Sequence, residues 1–364
     1  SGTSWKLPSP SSPRSWRILS SSAPWSAINL EIAQQHGTPR RTILLAASGV
    51  ATTAATAPLE VADDPCWVLL SSAGLLARTA SVQPLPPVGA RANHDVIVSK
   101  IIATARGSCG LITSAGRLIK ISALDLPTVP STAHTPNLQG GTHVSELVTL
   151  DAGEKVLCLT RLLADDSLGL ALGTARGVVK RVNPEILGKD SWEVIRLEAG
   201  DRVVGAVELT TAAAELVFVT NDAQLLHFPA TAVRPQGRSG GGMAGIKLGI
   251  GSSVVYFGAV SARDAVVATV SGTSRALPGT DAGSVKVTDF GQYPAKGRAT
   301  GGVRCHRFLK GEDAVLLAWV GPAPAIAAAP SGSPVPLPPA DARRDGSGTP
   351  SSQPIAAIGS AAAG

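Results

Sequence analysis

The residue types with the clearest chemical purpose are the glycines and arginines of two related segments. Residues 234–242 read Arg-Pro-Gln-Gly-Arg-Ser-Gly-Gly-Gly and lead to Lys247, and residues 293–302 read Tyr-Pro-Ala-Lys-Gly-Arg-Ala-Thr-Gly-Gly and lead to Arg304. Glycine lets a main chain approach a ligand closely and present its N–H groups, and Arg or Lys displaces counterions from a polyanion. The repeated Gly-Arg-x-x-Gly-Gly pattern therefore predicts contacts with phosphate groups, although a solvated surface charge is the competing interpretation for any single arginine.

Basic residues also recur on the return strand of successive predicted hairpins. There they are Arg78, Arg117 with Lys120, Lys180 with Arg181, and Arg275. From the two patterns together, we predict phosphate contacts from eleven residues: Arg78, Arg117, Lys120, Lys180, Arg181, Arg234, Arg238, Lys247, Lys296, Arg298 and Arg304.

The charge and composition permit a nucleic acid as the partner and disfavour a single-stranded one. Residues 286–310 contain six basic residues and one acid, Asp289, a local excess of +5 in a chain whose net charge is +6. Nothing in these segments is typical of base readout, so the predicted binding is independent of base sequence. Aromatic residues make up only 4% of the chain, too few for the stacking platforms that bind single strands.

The sequence gives little support for a catalytic or metal site. The six histidines are scattered, without Cys or carboxylate partners at metal-ligand spacing. The pairs Asp63-Asp64 and Asp165-Asp166 are more typical of solvated turns than of a catalytic dyad, and the glycine run 239–242 lacks the Lys and hydroxyl of a nucleotide P-loop. The four cysteines stand alone, which predicts small hydrophobic residues in strands rather than disulfides or zinc ligands. No cofactor is predicted for this chain.

Short strands are the elements that would position the basic residues. From Ile43 onward, apolar runs alternate with turn signals, and hairpins are predicted around turns near Gly74, Gly116, Arg176, Asp222 and Gly272. Further strands are predicted at 96–103, 155–160, 202–208 and 254–260, and the run 315–320 is predicted to open a sixth unit. A period of about 40 to 60 residues indicates blades in a ring. The predicted fold is all-β, propeller-like and six-bladed with a degenerate last blade, and two β-sandwiches are the alternative.

Composition divides the chain into four parts. Residues 1–27 are rich in Ser and Pro and predict a poorly ordered lead-in, and residues 28–42 predict a short helix and an entry segment. Residues 43–346 are predicted to form the β domain, and residues 347–364 a flexible tail. The chain begins with Ser and its single Met is Met243, so we expect a fragment of a longer protein.

Several motifs resemble the C-terminal domain of the A subunit of bacterial type IIA topoisomerases, the family of DNA gyrase and topoisomerase IV. Residues 36–42 (His-Gly-Thr-Pro-Arg-Arg-Thr) are similar to the segment that enters that domain, and residues 173–181 (Gly-Thr-Ala-Arg-Gly-Val-Val-Lys-Arg) to its blade hairpin. Residues 234–248 are similar to its inter-blade loop, and the resemblance covers about residues 28–346. It implies a six-bladed β-pinwheel whose basic rim bends or wraps duplex DNA.

The resemblance also implies what lies outside this fragment. The full enzyme would pair with an ATP-hydrolysing B subunit in an A2B2 assembly, use ATP and Mg²⁺, and work on the bacterial nucleoid in the cytoplasm. The family's catalytic tyrosine precedes this domain, so neither Tyr256 nor Tyr293 is expected to act as a nucleophile, and the fragment alone should be inactive.

One departure from the family pattern favours topoisomerase IV over gyrase. Gyrase carries a Gln-basic-Arg-Gly-Gly-basic-Gly box in its first blade, whereas residues 81–89 here read Ser-Val-Gln-Pro-Leu-Pro-Pro-Val-Gly. The nearest similar stretch, 236–242, lies in a later unit and lacks two of the basic residues.

A propeller that serves as a protein-interaction platform is the alternative function. An enzyme with a site in the central channel is a third, for which the sequence names no residues.

Overall fold

The computed structural model describes residues 31–32, 34–36, 62–85, 96–130, 138–162, 168–183, 185–261, 264–277 and 280–360. The chain divides into two compact units, 1–60 and 61–364. In the first unit the described residues are helical, within the range predicted to contain a short helix. The predicted lead-in 1–27 and the motif 37–42 lie outside the described residues.

The second unit is built from short strands. Its helical segments, within the described residues, are one α-helical turn, Val144–Leu147, and three 3₁₀ turns, Ala123–Asp125, Ala230–Ala232 and Phe290–Gln292. The strands are β1 (Pro65–Ser71), β2 (Leu75–Arg78), β3 (Ile97–Thr104), β4 (Ser108–Thr113), β5 (Arg117–Ser122), β6 (Thr142–His143), β7 (Val156–Arg161), β8 (Leu170–Thr174), β9 (Val178–Val182), β10 (Ser191–Glu193), β11 (Val203–Glu208), β12 (Glu215–Thr220), β13 (Gln224–Pro229), β14 (Pro235–Gln236), β15 (Met243–Ala244), β16 (Val254–Val260), β17 (Ala265–Gly272), β18 (Ser284–Asp289), β19 (Val303–Arg304), β20 (Ala314–Pro322), β21 (Ala325–Ala328), β22 (Pro334–Val335), β23 (Thr349–Pro350) and β24 (Ala357–Ser360).

These strands form six small sheets, the blades of a propeller. The strand orders are β3-β1-β2-β6, β10-β5-β4-β7, β11-β8-β9-β14 with β15 also on β9, β16-β12-β13-β19, β20-β17-β18-β23 and β22-β21-β24. The first five blades share one plan, in which an inner strand pairs with an antiparallel hairpin and a short edge strand completes the outer side. The sixth blade has three strands, so the all-β, six-bladed pinwheel with a degenerate last blade is confirmed.

In the first five blades, the edge strand is formed by residues that follow the hairpin of the next blade in the sequence. In the first blade the edge strand is β6, which follows the β4–β5 hairpin of the second blade. The same order holds for β10, β14 and β15, β19, and β23. Consecutive blades are therefore interlocked through the backbone as well as packed together.

The inner strands close the ring. Contacts run in succession between β3, β7, β11, β16, β20 and β24, and β24 in turn contacts β3. Most of the hydrophobic core is divided into clusters between consecutive blades, and the cluster of Val96, Ala328 and Ala357 joins the last blade to the first. Blades covered on both faces need apolar residues on both sides of a strand, which is why residues 216–219 of β12 are a continuous buried apolar run rather than an alternating one.

Four predicted hairpins are confirmed, and the four further predicted strands are the inner strands β3, β7, β11 and β16, but the fifth hairpin differs. The predicted return strand directly after Gly272 is instead a connection over residues 273–283, and the return strand is β18. Asp281 orders part of this connection by accepting N–H bonds from Thr273 at 2.7 Å and Gly283 at 3.0 Å. Arg275 therefore lies in an exposed connection and not on a return strand.

Two further segments lie elsewhere than the sequence indicated. The run 315–320 belongs to β20, the inner strand of the fifth blade, and the hairpin of the sixth blade is β21–β22. Residues 347–364 are predicted to form a flexible tail, but this range contains β23 and β24, which pair within the fifth and sixth blades.

All four cysteines are buried and free, and burial raises their pKa values. Among the described residues, no helix has the length and apolar character needed to cross a membrane. The same described ranges contain no group of three or more His, Cys, Asp or Glu side chains arranged to hold a metal ion.

Candidate nucleic-acid interface

The eleven predicted cations lie toward the outer side of the first four blades. In each blade the second hairpin strand lies next to the edge strand, and the predicted residues occupy these positions or the loops beside them. The hairpin strands carry Arg78, Arg117, Lys120, Lys180 and Arg181. The edge strands and their loops carry Arg234, Arg238, Lys247, Lys296, Arg298 and Arg304.

Lys180 is placed differently from the surface cation that the sequence predicted. Its side chain is fully buried, and its Nζ donates hydrogen bonds of 2.8 Å to each of the carbonyl oxygens of Val194, Arg238 and Gly240. Burial lowers the pKa of Lys180 to about 8. A buried ammonium with three carbonyl acceptors is satisfied within the protein, so it is not available to touch a phosphate directly.

Three other cations share one position of the repeat, four residues after the left-handed turn residue of each hairpin. They are Arg78, Lys120 and Arg181. Arg181 is half-buried and donates to the carbonyls of Ala230 at 3.4 Å and Val233 at 3.2 Å, and Arg78 is also half-buried. Lys120 alone of the three is exposed.

Arg117 is paired inside its blade. Its Nε and Nη2 donate to the two carboxylate oxygens of Glu154 at 2.7 and 2.5 Å, and Nη2 also donates to the Thr149 carbonyl at 3.1 Å. Burial acts to raise the pKa of Glu154, but the hydrogen bonds from Arg117 and the Asp151 N–H outweigh it and lower the pKa to about 2. A bidentate pair of this kind holds the turn before β7 to β5, so it stabilises the blade.

The exposed cations follow a structural repeat that the sequence only partly disclosed. After the edge strand of the second blade, the Val194 N–H donates to the Gly116 carbonyl at 2.9 Å, and equivalent bonds form in the third and fourth blades. Two residues further on stand Arg196, Lys247 and Arg307, all exposed. Of these three, the sequence predicts only Lys247 as a contact, because edge strands of two or three residues have no periodicity from which this register could be read.

The loop that leads to each edge strand lies against the preceding blade beside these cations. The Arg196 N–H donates to the Gly240 carbonyl at 3.3 Å, and the Lys247 N–H donates to the Thr300 carbonyl at 3.0 Å. The Arg307 N–H reaches the loop of the fifth blade in the same way, at 3.0 Å. Cations of adjacent blades are thus neighbours. We call the set the basic belt: Arg196, Arg238, Lys247, Lys296, Arg298, Arg304 and Arg307.

Belt side chains are only weakly neutralised by the protein. Arg238 has one carboxylate nearby, with its Nε 3.9 Å from Glu185 Oε2, and both side chains are exposed. Lys296 donates to the Gly302 carbonyl at 3.0 Å, and Arg298 donates to the Ala244 carbonyl, so each of these cations bonds to a neutral acceptor. Of the other predicted residues, Arg234 is exposed beside β14.

Glycine is required where the loops meet the return strands. A Cβ at Gly242 would lie 2.7 Å from the Val179 carbonyl oxygen, and one at Gly302 would lie 2.6 Å from the Leu225 carbonyl oxygen. Both residues also have positive φ, +83° and +74°. The repeated glycines therefore have a packing purpose that is independent of any ligand.

Comparisons with known proteins agree with this architecture. The family model of the DNA gyrase C-terminal domain, beta-propeller, matches residues 214–261 and 279–316. The A subunit of DNA gyrase from Mycobacterium tuberculosis (strain ATCC 25618 / H37Rv) is 26% identical over 289 residues, covering 75% of this chain and 32% of that protein. The corresponding gyrase protein of Escherichia coli (strain K12) is 26% identical over 214 residues, covering 58% of this chain and 22% of that protein. The chain thus spans about a third or less of the length of these relatives.

Solved structures show the same fold. The C-terminal domain of DNA topoisomerase IV superposes with a TM-score of 0.63 at 17% identity, covering 82% of this chain and 94% of that one. The DNA gyrase A C-terminal domain gives a TM-score of 0.54 at 17% identity, covering 81% and 99%. The family model, the relatives and the fold together confirm the resemblance, predicted from the sequence, to the C-terminal domain of the A subunit of type IIA topoisomerases.

Proposed function

We propose that this domain binds and bends duplex DNA without regard to base sequence, through the basic belt. The observation that carries the proposal is the row of backbone hydrogen bonds that join an exposed cation of one blade to the cation-bearing loop of the next, first at Arg196 and then at Lys247. A curved row of cations suits a curved polyanion, because each added phosphate contact offsets part of the elastic cost of bending. That cost is about 1 to 6 kcal/mol for a site of 20 to 30 base pairs.

Salt dependence tests the proposal. If all seven belt cations neutralise phosphates, the logarithm of the association constant should fall with the logarithm of salt concentration with a slope of up to about 6. Anisotropy of a labelled duplex of about 30 base pairs, titrated between about 50 and 200 mM salt, measures that slope. A flat dependence would overturn the proposal. An absence of duplex binding would favour the alternative, a protein-interaction platform.

We further propose that the domain serves the A subunit of a type IIA topoisomerase. In that enzyme it would present a DNA segment for ATP-dependent strand passage on the bacterial nucleoid, with a B subunit in an A2B2 assembly. The mycobacterial and enterobacterial relatives support this placement, because each is named as the A subunit of DNA gyrase. ATP and Mg²⁺ would act in other parts of the enzyme. The chain alone should neither cleave DNA nor hydrolyse ATP, which a plasmid relaxation assay with and without the partner subunits would test.

A topoisomerase IV-like domain, which bends DNA without strong wrapping, is the finer proposal. It rests on the sequence of the first blade, where residues 81–89 lack the basic glycine box of gyrase. Incubating the chain with relaxed circular plasmid and a relaxing enzyme measures any writhe that it traps. Weak or no writhe is expected, and strong positive writhe would show that wrapping does not need that box.

A further inference from the structure

A buried positive charge lies behind the glycine-rich loop of the third blade. The Lys180 ammonium donates to the Val194 carbonyl of the second blade and to two carbonyls of the loop, those of Arg238 and Gly240. All three bonds are 2.8 Å long. One ammonium therefore fixes the orientation of two peptide groups within the loop.

The direction of these carbonyls decides where the next N–H groups point. In a planar trans peptide the C=O and N–H bonds point in opposite directions. Because the carbonyls of Arg238 and Gly240 point inward at Lys180, the N–H groups of Ser239 and Gly241 point outward. Both residues are exposed, and neither N–H donates to any acceptor in the described part of the chain.

We propose that Lys180 is a positioning residue that holds the N–H groups of Ser239 and Gly241 outward as a site for one phosphodiester oxyanion. The inference rests on the proposed DNA binding and adds a defined backbone contact to it. The ammonium polarises the two peptide groups whose carbonyls it binds, which strengthens their N–H groups as donors to an anion. Arg238 lies within the loop and Arg196 is bonded to it, so the loop also carries the charge that attracts phosphate.

The fifth blade has a buried lysine at the equivalent position, but the loop in front of it is not suited to an anion. Lys286 is buried, and its Nζ donates to the Arg344 carbonyl at 2.7 Å and the Cys305 carbonyl at 3.2 Å. The next residue in that loop is Asp345, an exposed acid that would repel phosphate. Lys286 is therefore a matched control for any effect that comes only from removing a buried ammonium.

Amide resonances of the unaltered 364-residue chain give a direct test. On titration with a duplex of about 30 base pairs, the ¹⁵N–¹H signals of Ser239 and Gly241 should move downfield and saturate with the binding curve. If the duplex binds with the expected salt slope while these two amides stay in place, the inference fails and the proposed function stands. If the duplex does not bind, both fail.

Two pairs of variants separate positioning from stability. Lys180→Met should weaken duplex binding by about tenfold, whereas Lys286→Met should change it by less than about twofold, although both lower the free energy of unfolding. Gly241→Pro removes the N–H donor and should weaken binding to a similar degree. Gly241→Ala keeps the donor and should weaken binding less than Gly241→Pro does, since its Cβ would meet the Arg196 carbonyl at an unstrained 3.6 Å. Equal losses within either pair would overturn the inference.

Discussion

Removing the three equivalent belt cations should reduce the salt dependence of DNA binding by a calculable amount. Arg196, Lys247 and Arg307 stand at the same place in three successive blades, two residues beyond the N–H that closes each edge strand. All three side chains are exposed, so alanine at these positions leaves no buried group without a partner. Each phosphate contact contributes about 0.9 to the slope of log K against log salt, so the triple variant R196A/K247A/R307A should lose about 2.7.

A second triple variant controls for net charge. Lys155, Arg275 and Lys310 are also exposed but lie in turns or connections outside the belt, so K155A/R275A/K310A should lower the slope by less than about 1. Both variants and the unaltered chain would be compared by duplex anisotropy over a range of salt, with urea unfolding to establish equal stability. Equal slope losses in the two triple variants would refute the reasoning, because binding would then reflect total charge and not the belt.

Three further predictions concern stability, and each is measured by urea unfolding. Burial lowers the pKa of His306 to about 4, whereas the unfolded histidine takes up its proton near pH 6.5. The free energy of unfolding should therefore fall by up to about 3 kcal/mol as the pH drops from 6.5 to 4. A stability profile that is flat in this range, or that is unchanged in His306→Gln, would contradict this prediction. The stability that Glu154 contributes is present above about pH 4.5 and is lost as the pH falls toward 2. Glu154→Gln should therefore lower the free energy of unfolding by about 2 to 3 kcal/mol at pH 7 and by much less at pH 2.5. An equal loss at both pH values would be inconsistent with the low pKa. Gly242→Ala should lower the free energy of unfolding by about 1 to 3 kcal/mol, because φ is +83° and its Cβ would meet the Val179 carbonyl. The neighbouring Gly241→Ala should lower it little, and similar stabilities of the two variants would argue against the close approach.

The hairpins that are predicted correctly from the sequence are those with short turns. Gly74, Gly116 and Gly177 each have positive φ directly before the return strand, so a short turn stands between two apolar runs. The fifth hairpin was placed wrongly because its two strands are separated by residues 273–283. The sixth, degenerate blade is predicted correctly but its hairpin is not, because β21 reads Ala-Ile-Ala-Ala, which has little of the β-branched and aromatic character that marks a strand.

The candidate interface was predicted in outline, but not the roles of its members. Lys180 and Arg181 are adjacent in sequence on a strand whose surroundings are not visible locally, yet one is fully buried and the other half-buried. Burial of Lys180 depends on three carbonyls from two other segments, at separations of 14, 58 and 60 residues. Arg196 and Arg307 were not selected because their equivalence with Lys247 appears only once each edge strand is paired.

The late position of these edge strands in the sequence has a consequence for cotranslational folding. A hairpin such as β1–β2 emerges early, but its outer side stays uncovered until β6 has been synthesised, well after the following hairpin has formed. Each nascent blade thus exposes a bare strand edge to other chains for as long as its partner is still being translated. Loss of β23 and β24 at the far end would leave one blade without its edge strand and another without its inner strand, so a stop codon shortly before Thr349 would damage two blades at once and open the ring.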